Sequence, residues 1–389
     1  MKILYVDQTG QLGGAELSML DLVKHLPYPG EVALFADGPF RHALEETGIS
    51  VHVLQAGAAT NVRRESGIKS ILHALPALAT LRERLSQLIS TSDLIYTNTQ
   101  KAFVVSALAS RKRNQPLVWH LRDMLTASHF SPLLRQLVIF LANHRATAVI
   151  ANSHATKQAF IDAGGNKRLV TVVHNGISSS PFDSIEETQV RAVRAEIAAP
   201  NAYLVGVFGR LSSWKGQHIL LDALTYLPDV HAVFVGDALF GEDAYAEELK
   251  TRAQNNNLLD RVHFLGFRKD IPVLMKAMNI ITHTSISPEP FGRVLVEGML
   301  AGRPVVATRA GGALEIIEDQ KTGLLVSPAN AQELVRAIQQ IRNDPNFAAQ
   351  VALAAQQRAR EKFSLQAMVA GVKDILNTAF TGSCKYNDV

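Results

Sequence analysis

Short apolar runs recur along the chain, each followed by small or polar residues and then, in most cases, by a stretch with helical spacing. In the first half they fall at 3–6, 32–35, 51–54, 94–97, 117–119, 148–151 and 170–173. Runs of this length, apolar on both alternating faces, predict strands buried on both sides. Their alternation with helical segments predicts a doubly wound parallel sheet. A second series begins at 203–208 and continues at 232–235, 262–264, 280–282, 305–307 and 323–326, with helical spacing over 219–226 and 331–342. The pattern therefore predicts an α/β protein of two Rossmann-like domains facing each other across a cleft, with ligands outside the carboxyl ends of the strands. Residues 183–200 turn acidic and polar, with Glu186-Glu187 and a helical run ending at Ala198-Ala199-Pro200, and read as the interdomain connection. Residues 364–380 have the spacing of an amphipathic helix, and the polar tail after them reads as disordered. The expected divisions are 1–182, 183–363 and 364–389.

A length of 389 residues exceeds what one compact core accommodates, and the 47% apolar and 19% charged content fits a soluble globular protein. The single cysteine, Cys384, excludes an intrachain disulfide and points to a reducing compartment. Met1-Lys2-Ile3-Leu4-Tyr5-Val6-Asp7 reads as a strand rather than a signal peptide, and the longest apolar run, 137–142, is too short to span a bilayer. A cytoplasmic location is expected. The net charge of +4 is uneven: residues 1–180 hold 18 Lys and Arg against 12 Asp and Glu, the remainder 21 against 23. Arg63-Arg64, Arg82 with Arg84, and Arg111-Lys112-Arg113 either lean on an anionic lipid surface, peripheral to the membrane, or form a solvated basic face. Basic and aromatic residues do not interleave as single-stranded nucleic acid requires, so nucleic acid is not expected as a partner.

The densest candidate chemistry is Glu289-Pro290-Phe291-Gly292-Arg293-Val294-Leu295-Val296-Glu297. A helix starting near Gly292 turns the amides of Arg293, Val294 and Leu295, with the positive end of its dipole, towards an anion. Glu297 then lies about one turn in and Glu289 on the preceding loop. The two carboxylates can accept hydroxyls from two sides, such as a sugar ring and a ribose; an ordinary solvated helix start is the competing reading. Gly10 and Gly13-Gly14 follow the first strand, where glycine allows close backbone approach to a ligand or simply makes a turn. Phe208-Gly209-Arg210-Leu211 ends a strand and Lys215-Gly216 precedes a helix, so Arg210 and Lys215 can neutralise a diphosphate without a metal. His120 ends the apolar strand Leu117-Val118-Trp119, placed either to bond a sugar hydroxyl or to cap the strand. No two aspartates stand two positions apart, and neither metal-ligand spacing of Cys and His nor a P-loop occurs, so phosphate binding is expected to be metal-free.

In their order along the chain these residues resemble the retaining glycosyltransferases of the GT-B fold, family 4 or group 1. The resemblance takes in Gly13-Gly14-Ala15-Glu16, His120, Val173-His174-Asn175-Gly176-Ile177, Gly209-Arg210-Leu211 with Lys215-Gly216, and Val262-His263-Phe264 leading into Leu265-Gly266-Phe267-Arg268. It continues through Glu289 to Glu297, Gly302-Arg303-Pro304-Val305-Val306-Ala307 and Gly311-Gly312. It implies a last helix that crosses back onto the N-terminal domain. It also implies retaining, metal-independent and cofactor-free transfer of a sugar from a nucleotide-diphosphate sugar, UDP favoured over GDP, to an acceptor hydroxyl in glycan or glycolipid synthesis. The N-terminal domain is then the acceptor domain, for a sugar or a lipid-linked acceptor. By the same resemblance Arg210 and Lys215 bind the diphosphate, helped by the amides after Gly292. Glu289 meets the donor sugar, Glu297 the ribose and the loop Gly266-Phe267-Arg268 the base, while His120 lies near the transferred sugar. The implied catalytic set is His120, Arg210, Lys215 and Glu289; the implied donor-binding set is Gly13, Gly14, Phe267, Arg268, Phe291, Gly292, Arg293, Val294, Leu295 and Glu297. Thr284 stands where similar sequences often carry proline, which leaves the local loop shape open. A nucleotide-sugar epimerase and a non-catalytic sugar-nucleotide-binding protein are the alternatives on the same scaffold.

Overall fold

The structure, a computed structural model, describes residues 1–55, 57, 68–111, 114–126, 130–238 and 241–382. Arg63, Arg64, Lys112, Arg113 and the tail with Cys384 lie outside the described residues. Every predicted strand is present. The first sheet contains β1 (Ile3–Asp7), β2 (Gly30–Leu34), β3 (Ser50–Val53), β4 (Leu94–Thr97), β5 (Leu117–Leu121), β6 (Ala148–Ala151) and β7 (Val170–Val172), in the order β3-β2-β1-β4-β5-β6-β7. The second contains β8 (Tyr203–Phe208), β9 (Val230–Val235), β10 (Val262–Phe264), β11 (Ile280–His283), β12 (Val305–Thr308) and β13 (Leu324–Val326), in the order β10-β9-β8-β11-β12-β13. All pairings are parallel, as continuous apolar strands demand. On β1, Leu4 and Val6 enter the core on one face of the sheet, and Ile3 and Tyr5 enter the core on the other.

The chain divides into two compact units, Met1–Gly176 joined by the last helix, and Ile177–Ser364. The change-over falls before the expected position 182 because Ile177 and Phe182 are already buried in the second unit's core. The segment 183–200, expected to be a connection with a helical run, contains that run as the helix Glu187–Ile197, which is packed into the second unit. It buries Val190 and Ile197 in the same core as Leu274 and Ala277 of the helix Ile271–Ala277. Arg194 fastens it further, its Nη2 donating to the Ala202 carbonyl at 2.7 Å.

The last helix, Leu365–Thr381, returns to the first unit, as the fold resemblance implied. Leu365, Met368, Val372, Leu376 and Ala379 form a helical stripe buried with Ile150 and Val173. Among the described residues no helix is long and apolar enough to cross a membrane. In each sheet the strand order reverses at the first strand of the series, between β1 and β4 and between β8 and β11. The polar clusters described next gather at the carboxyl ends of these strands.

Candidate functional site

In the second unit, Arg210 follows β8 and Lys215 closes the short turn Ser213–Lys215. Gly216 comes next with φ of 66°, and a Cβ there would lie 2.3 Å from the Thr284 carbonyl oxygen. Only glycine lets the loop after β8 lie this close to the loop after β11. Two hydrogen bonds hold the loops together: the Ile286 N–H donates to the Trp214 carbonyl at 2.9 Å, and the Thr284 hydroxyl to the Lys215 carbonyl at 3.1 Å. Thr284 thus fixes the loop shape that the sequence left open. Trp214 gathers both cations, with Lys215 Nζ 4.7 Å and Arg210 Cζ 6.0 Å from its ring centroid, within cation–π range.

Glu289 sits at the centre of this cluster. Its Oε1 accepts from Lys215 Nζ at 2.6 Å, from His283 Nε2 at 2.8 Å and from the Ser285 hydroxyl. Burial by itself would push this carboxyl up, but the Lys215 charge and then His283 more than reverse that and hold it well below the usual carboxylate range. Glu289 is therefore an ionised, buried acceptor at neutral pH. All three donors converge on Oε1, and among the described residues none bonds to Oε2. Gly311, at φ of 56°, makes the placement possible: a Cβ there would lie 2.3 Å from the Glu289 carbonyl oxygen. The Gly312 N–H donates to that same carbonyl at 2.9 Å.

The helix Arg293–Leu300 begins directly after Gly292, with Glu297 one turn in and bonded to Arg293 Nε at 2.8 Å. The Leu295 N–H, expected to face outward, donates to the Gly292 carbonyl at 2.9 Å, because the first turn is tight. Phe291 and Leu295 are core side chains, and the Phe291 ring is edge-on to Phe363 at 5.8 Å. Neither side chain is left for a ligand, and the Leu295 N–H is already engaged by Gly292. After β10, Phe267 is 64% exposed and its N–H donates to Asp237 Oδ2 at 3.1 Å. Arg268 does not extend freely from this loop: it makes a two-point contact with Asp270 at 2.8 and 2.7 Å and a third with Glu196 at 2.7 Å.

The first unit has its own polar cluster. The Gly13 N–H, at the start of the helix Gly14–His25, donates to Glu16 Oε2 at 3.0 Å. His120 does not end its strand, since β5 continues to Leu121, and the ring is fully buried. Its Nδ1 lies 2.5 Å from Tyr96 Oη and 3.3 Å from Arg122 Nη2. Arg122 also donates from Nε to Asn98 at 2.6 Å, and from Nη1 to Asn175 at 2.8 Å and Ser18 at 2.9 Å. Asn98 passes the contact on to Asp7, Nδ2 to Oδ2 at 2.6 Å. Burial pushes Asp7 up to about 6 against the pull of Asn98 and of backbone amides, and burial with the Asp7 charge pushes Glu16 up to about 8. Burial, then the Arg122 charge, pushes His120 well below its ordinary value.

Arg210, Lys215, Glu289 and the start of the Arg293 helix belong to the second unit, and Gly13, Gly14 and His120 to the first. Sequence reasoning missed Trp214, His283, Ser285 and Asp237 in the second unit, and Asp7, Asn98 and Arg122 in the first. All but Trp214 fall at or just after the carboxyl end of a strand, the criterion that selected His120.

Comparison with known proteins agrees with this arrangement. The family described as Glycosyltransferase Family 4 matches residues 12–180, and that described as Glycosyl transferases group 1 matches residues 191–358. The chain is 31% identical over 264 residues to the lipopolysaccharide core biosynthesis mannosyltransferase LpsB of Rhizobium meliloti, covering 60% of this chain and 71% of that protein. It is 28% identical over 229 residues to the lipopolysaccharide core biosynthesis glycosyltransferase LpsE of the same organism, covering 59% and 63%. The chain spans about three fifths of the length of most of the first curated relatives it matches. Among solved structures, Anabaena HepE in complex with UDP-glucose superposes with a TM-score of 0.88 at 43% identity, over 97% of this chain and all of that one. Sucrose-phosphate synthase of Thermosynechococcus elongatus, 20% identical over 98% of this chain and 99% of its own, shares the fold at a TM-score of 0.81.

Proposed function

The chain belongs to the group 1 glycosyltransferases, in family 4, and on that footing we propose that it transfers a hexosyl group from a nucleotide-diphosphate sugar to an acceptor hydroxyl. The anomeric configuration is retained and no metal takes part. The observation that carries this reading is the Glu289 cluster: an ionised, buried carboxylate bonded to a lysine that packs, like Arg210, on the Trp214 ring. As the sugar carbon becomes cationic in character, negative charge gathers on the leaving diphosphate. Arg210, Lys215 and the amides after Gly292 stabilise that charge, on the order of 3 kcal/mol per well-placed donor. Glu289 Oε2 takes a sugar hydroxyl, Glu297 the ribose, and the exposed Phe267 ring meets the base. His120 takes its place beside the transferred sugar. The acceptor proton passes to the leaving phosphate, on the face from which the acceptor attacks. UDP is favoured as the nucleotide, supported by the likeness to HepE, which was solved with UDP-glucose and with UDP.

The test is a screen of UDP-, GDP- and ADP-sugars in excess EDTA, by thermal shift and then by nucleotide release, with wild type and Lys215→Ala. A UDP-sugar that stabilises the protein, and whose acceptor-dependent release collapses in the variant, is the expected result. Conversion of the donor into a second nucleotide sugar, with no acceptor added and no net nucleotide released, would point to an epimerase, and binding with neither release nor conversion to a silent binder; either sinks the transferase.

A lipid-linked acceptor at an anionic membrane surface fits the first unit. On the helix Pro132–Arg145, Leu133, Leu137 and Phe140 are 48%, 41% and 59% exposed at helical spacing, and the neighbouring helix Gln100–Ala109 exposes Leu108 at 44%. Segments 100–111 and 130–145 contain Lys101, Arg111, Arg135 and Arg145 and no carboxylate, so these two segments bring cations and no anions of their own. Vesicles with anionic lipid should pellet the wild type and release the Leu137→Ser/Phe140→Ser variant. Failure of the wild type to pellet, or loss of self-association in the variant instead, would remove the lipid.

A further inference from the structure

We infer that Arg122 and Tyr96 are positioning residues that fix His120 as the neutral Nε2–H tautomer, so that it meets the sugar as a hydrogen-bond donor and not as a base. The inference rests on the proposed place of His120 beside the transferred sugar. Its structural half stands on the first unit alone.

The argument begins at Nδ1. Both of its neighbours, Tyr96 Oη at 2.5 Å and Arg122 Nη2 at 3.3 Å, carry protons. A hydroxyl can donate or accept, but a guanidinium nitrogen can only donate. Nδ1 must therefore present its lone pair to Arg122, and the Tyr96 hydroxyl turns its proton the same way. The ring proton is left to Nε2.

A second proton is opposed by Arg122 and by burial. Arg122 brings a fixed positive charge, and the ring is fully buried. The carboxyl groups of this cluster, Asp7 on β1 and Glu16 on the helix Gly14–His25, are not bonded to the imidazole: Asp7 is bridged by Asn98 to Arg122, and Glu16 accepts from Gly13. Ser18 and Asn175 complete the shell around Arg122 without touching the ring. The downward push on the His120 pKa has the same origin.

Among the described residues Nε2 has no partner, although it is buried. A buried N–H without an acceptor is costly, and an oxygen lone pair of a bound sugar would complete it. A general base at this position would need the opposite tautomer. His120 thus recognises oxygen and cannot collect the acceptor's proton, which agrees with passage of that proton to the leaving phosphate.

Nitrogen-15 NMR of the full chain labelled at its 13 histidines, with His120 assigned by His120→Asn, tests this directly. Wild type should show Nε2 protonated and Nδ1 bare, unchanged over roughly pH 5.5 to 8. Tyr96→Phe should keep that state, because Arg122 still donates. Arg122→Met should give a tautomer mixture, because Tyr96 can then accept from Nδ1. In that variant the preference for UDP-glucose over UDP should fall about tenfold. An Nδ1–H or doubly protonated ring in wild type, or in Tyr96→Phe if the Arg122 variant does not fold, overturns the tautomer lock. If the lock holds but UDP-glucose leaves the Nε2 signal where UDP does, it is the placement beside the sugar that fails.

Discussion

Removing Lys215 separates what the Glu289 cluster does for stability from what it does for chemistry. In Lys215→Ala the buried Glu289 loses its main counter-charge but keeps His283 and Ser285 on the same oxygen. Breaking a buried ion pair from one side costs about 3–5 kcal/mol. The two side chains are 19% and 10% exposed and two donors remain, so the cost should fall at or just below the bottom of that range, about 2–3 kcal/mol. Glu289→Gln in the same background removes the stranded charge and keeps an oxygen for His283 and Ser285. The double variant should then recover at least about 1 kcal/mol over Lys215→Ala. Turnover should not recover, because a cation at the leaving diphosphate is still missing; nucleotide release should stay about 10²–10³ below wild type in both. The pH dependence has a definite sign. A carboxyl held below its unfolded value contributes stability that is present above the unfolded pKa and is lost as pH falls through the folded one. The advantage of wild type over Lys215→Ala should therefore be level from pH 7 down to about pH 4.5, the unfolded value, and shrink below it as pH falls towards the folded one. Urea unfolding at several pH values, paired with nucleotide release, measures all of this. A double variant no more stable than the single, or an advantage that does not change with pH, would refute the charge-pair account.

Three further outcomes follow from the geometry. Gly311→Ala puts a Cβ against the Glu289 carbonyl at positive φ, so it should cost about 2 kcal/mol or more in urea unfolding and abolish donor binding in a titration with UDP-glucose. Phe267→Ala removes an exposed ring, so unfolding should shift by less than about 0.5 kcal/mol while donor affinity drops several-fold; unchanged affinity would remove Phe267 from the base site. Glu16, raised to about 8, binds its proton more tightly folded than unfolded, so its contribution is present at low pH and is lost as pH rises towards 8. The stability of Glu16→Gln relative to wild type should therefore climb between pH 5 and 8, by up to about 1.4 kcal/mol per unit, and a flat difference would mean that Glu16 ionises normally.

The strands were legible because strands buried on both faces need apolar residues at every position, and only such runs recur with this spacing. Polar groups that satisfy one another inside a strand break that logic. His120 looked like a strand end because it is polar, yet Tyr96 and Arg122 satisfy it and β5 continues through it. The helix Glu187–Ile197 was legible as a helical run but read as a connection, because it buries little beyond Val190 and Ile197 and its many charges hid that it belongs to a core. Of the candidate site, Glu289, Arg210 and Lys215 were visible as charges next to glycines. Trp214, His283 and Ser285 were not, because their roles depend on two loops lying against each other, a contact between positions about 70 residues apart. Phe291 was assigned to the ligand by its neighbours in sequence, and the core claims its ring.

The return of the last helix has a consequence for biogenesis. The second unit is an uninterrupted stretch, Ile177–Ser364, whose two ends are already joined where the Ile177 N–H donates to the Phe363 carbonyl at 2.9 Å. It can close its core as soon as that stretch has left the ribosome. The first unit is translated earlier but lacks Leu365, Met368, Val372 and Leu376 until nearly 200 further residues have been added. Its unfinished surface stays open to chaperones throughout that interval, and a ribosome stalled within the second unit would leave the earlier half incomplete.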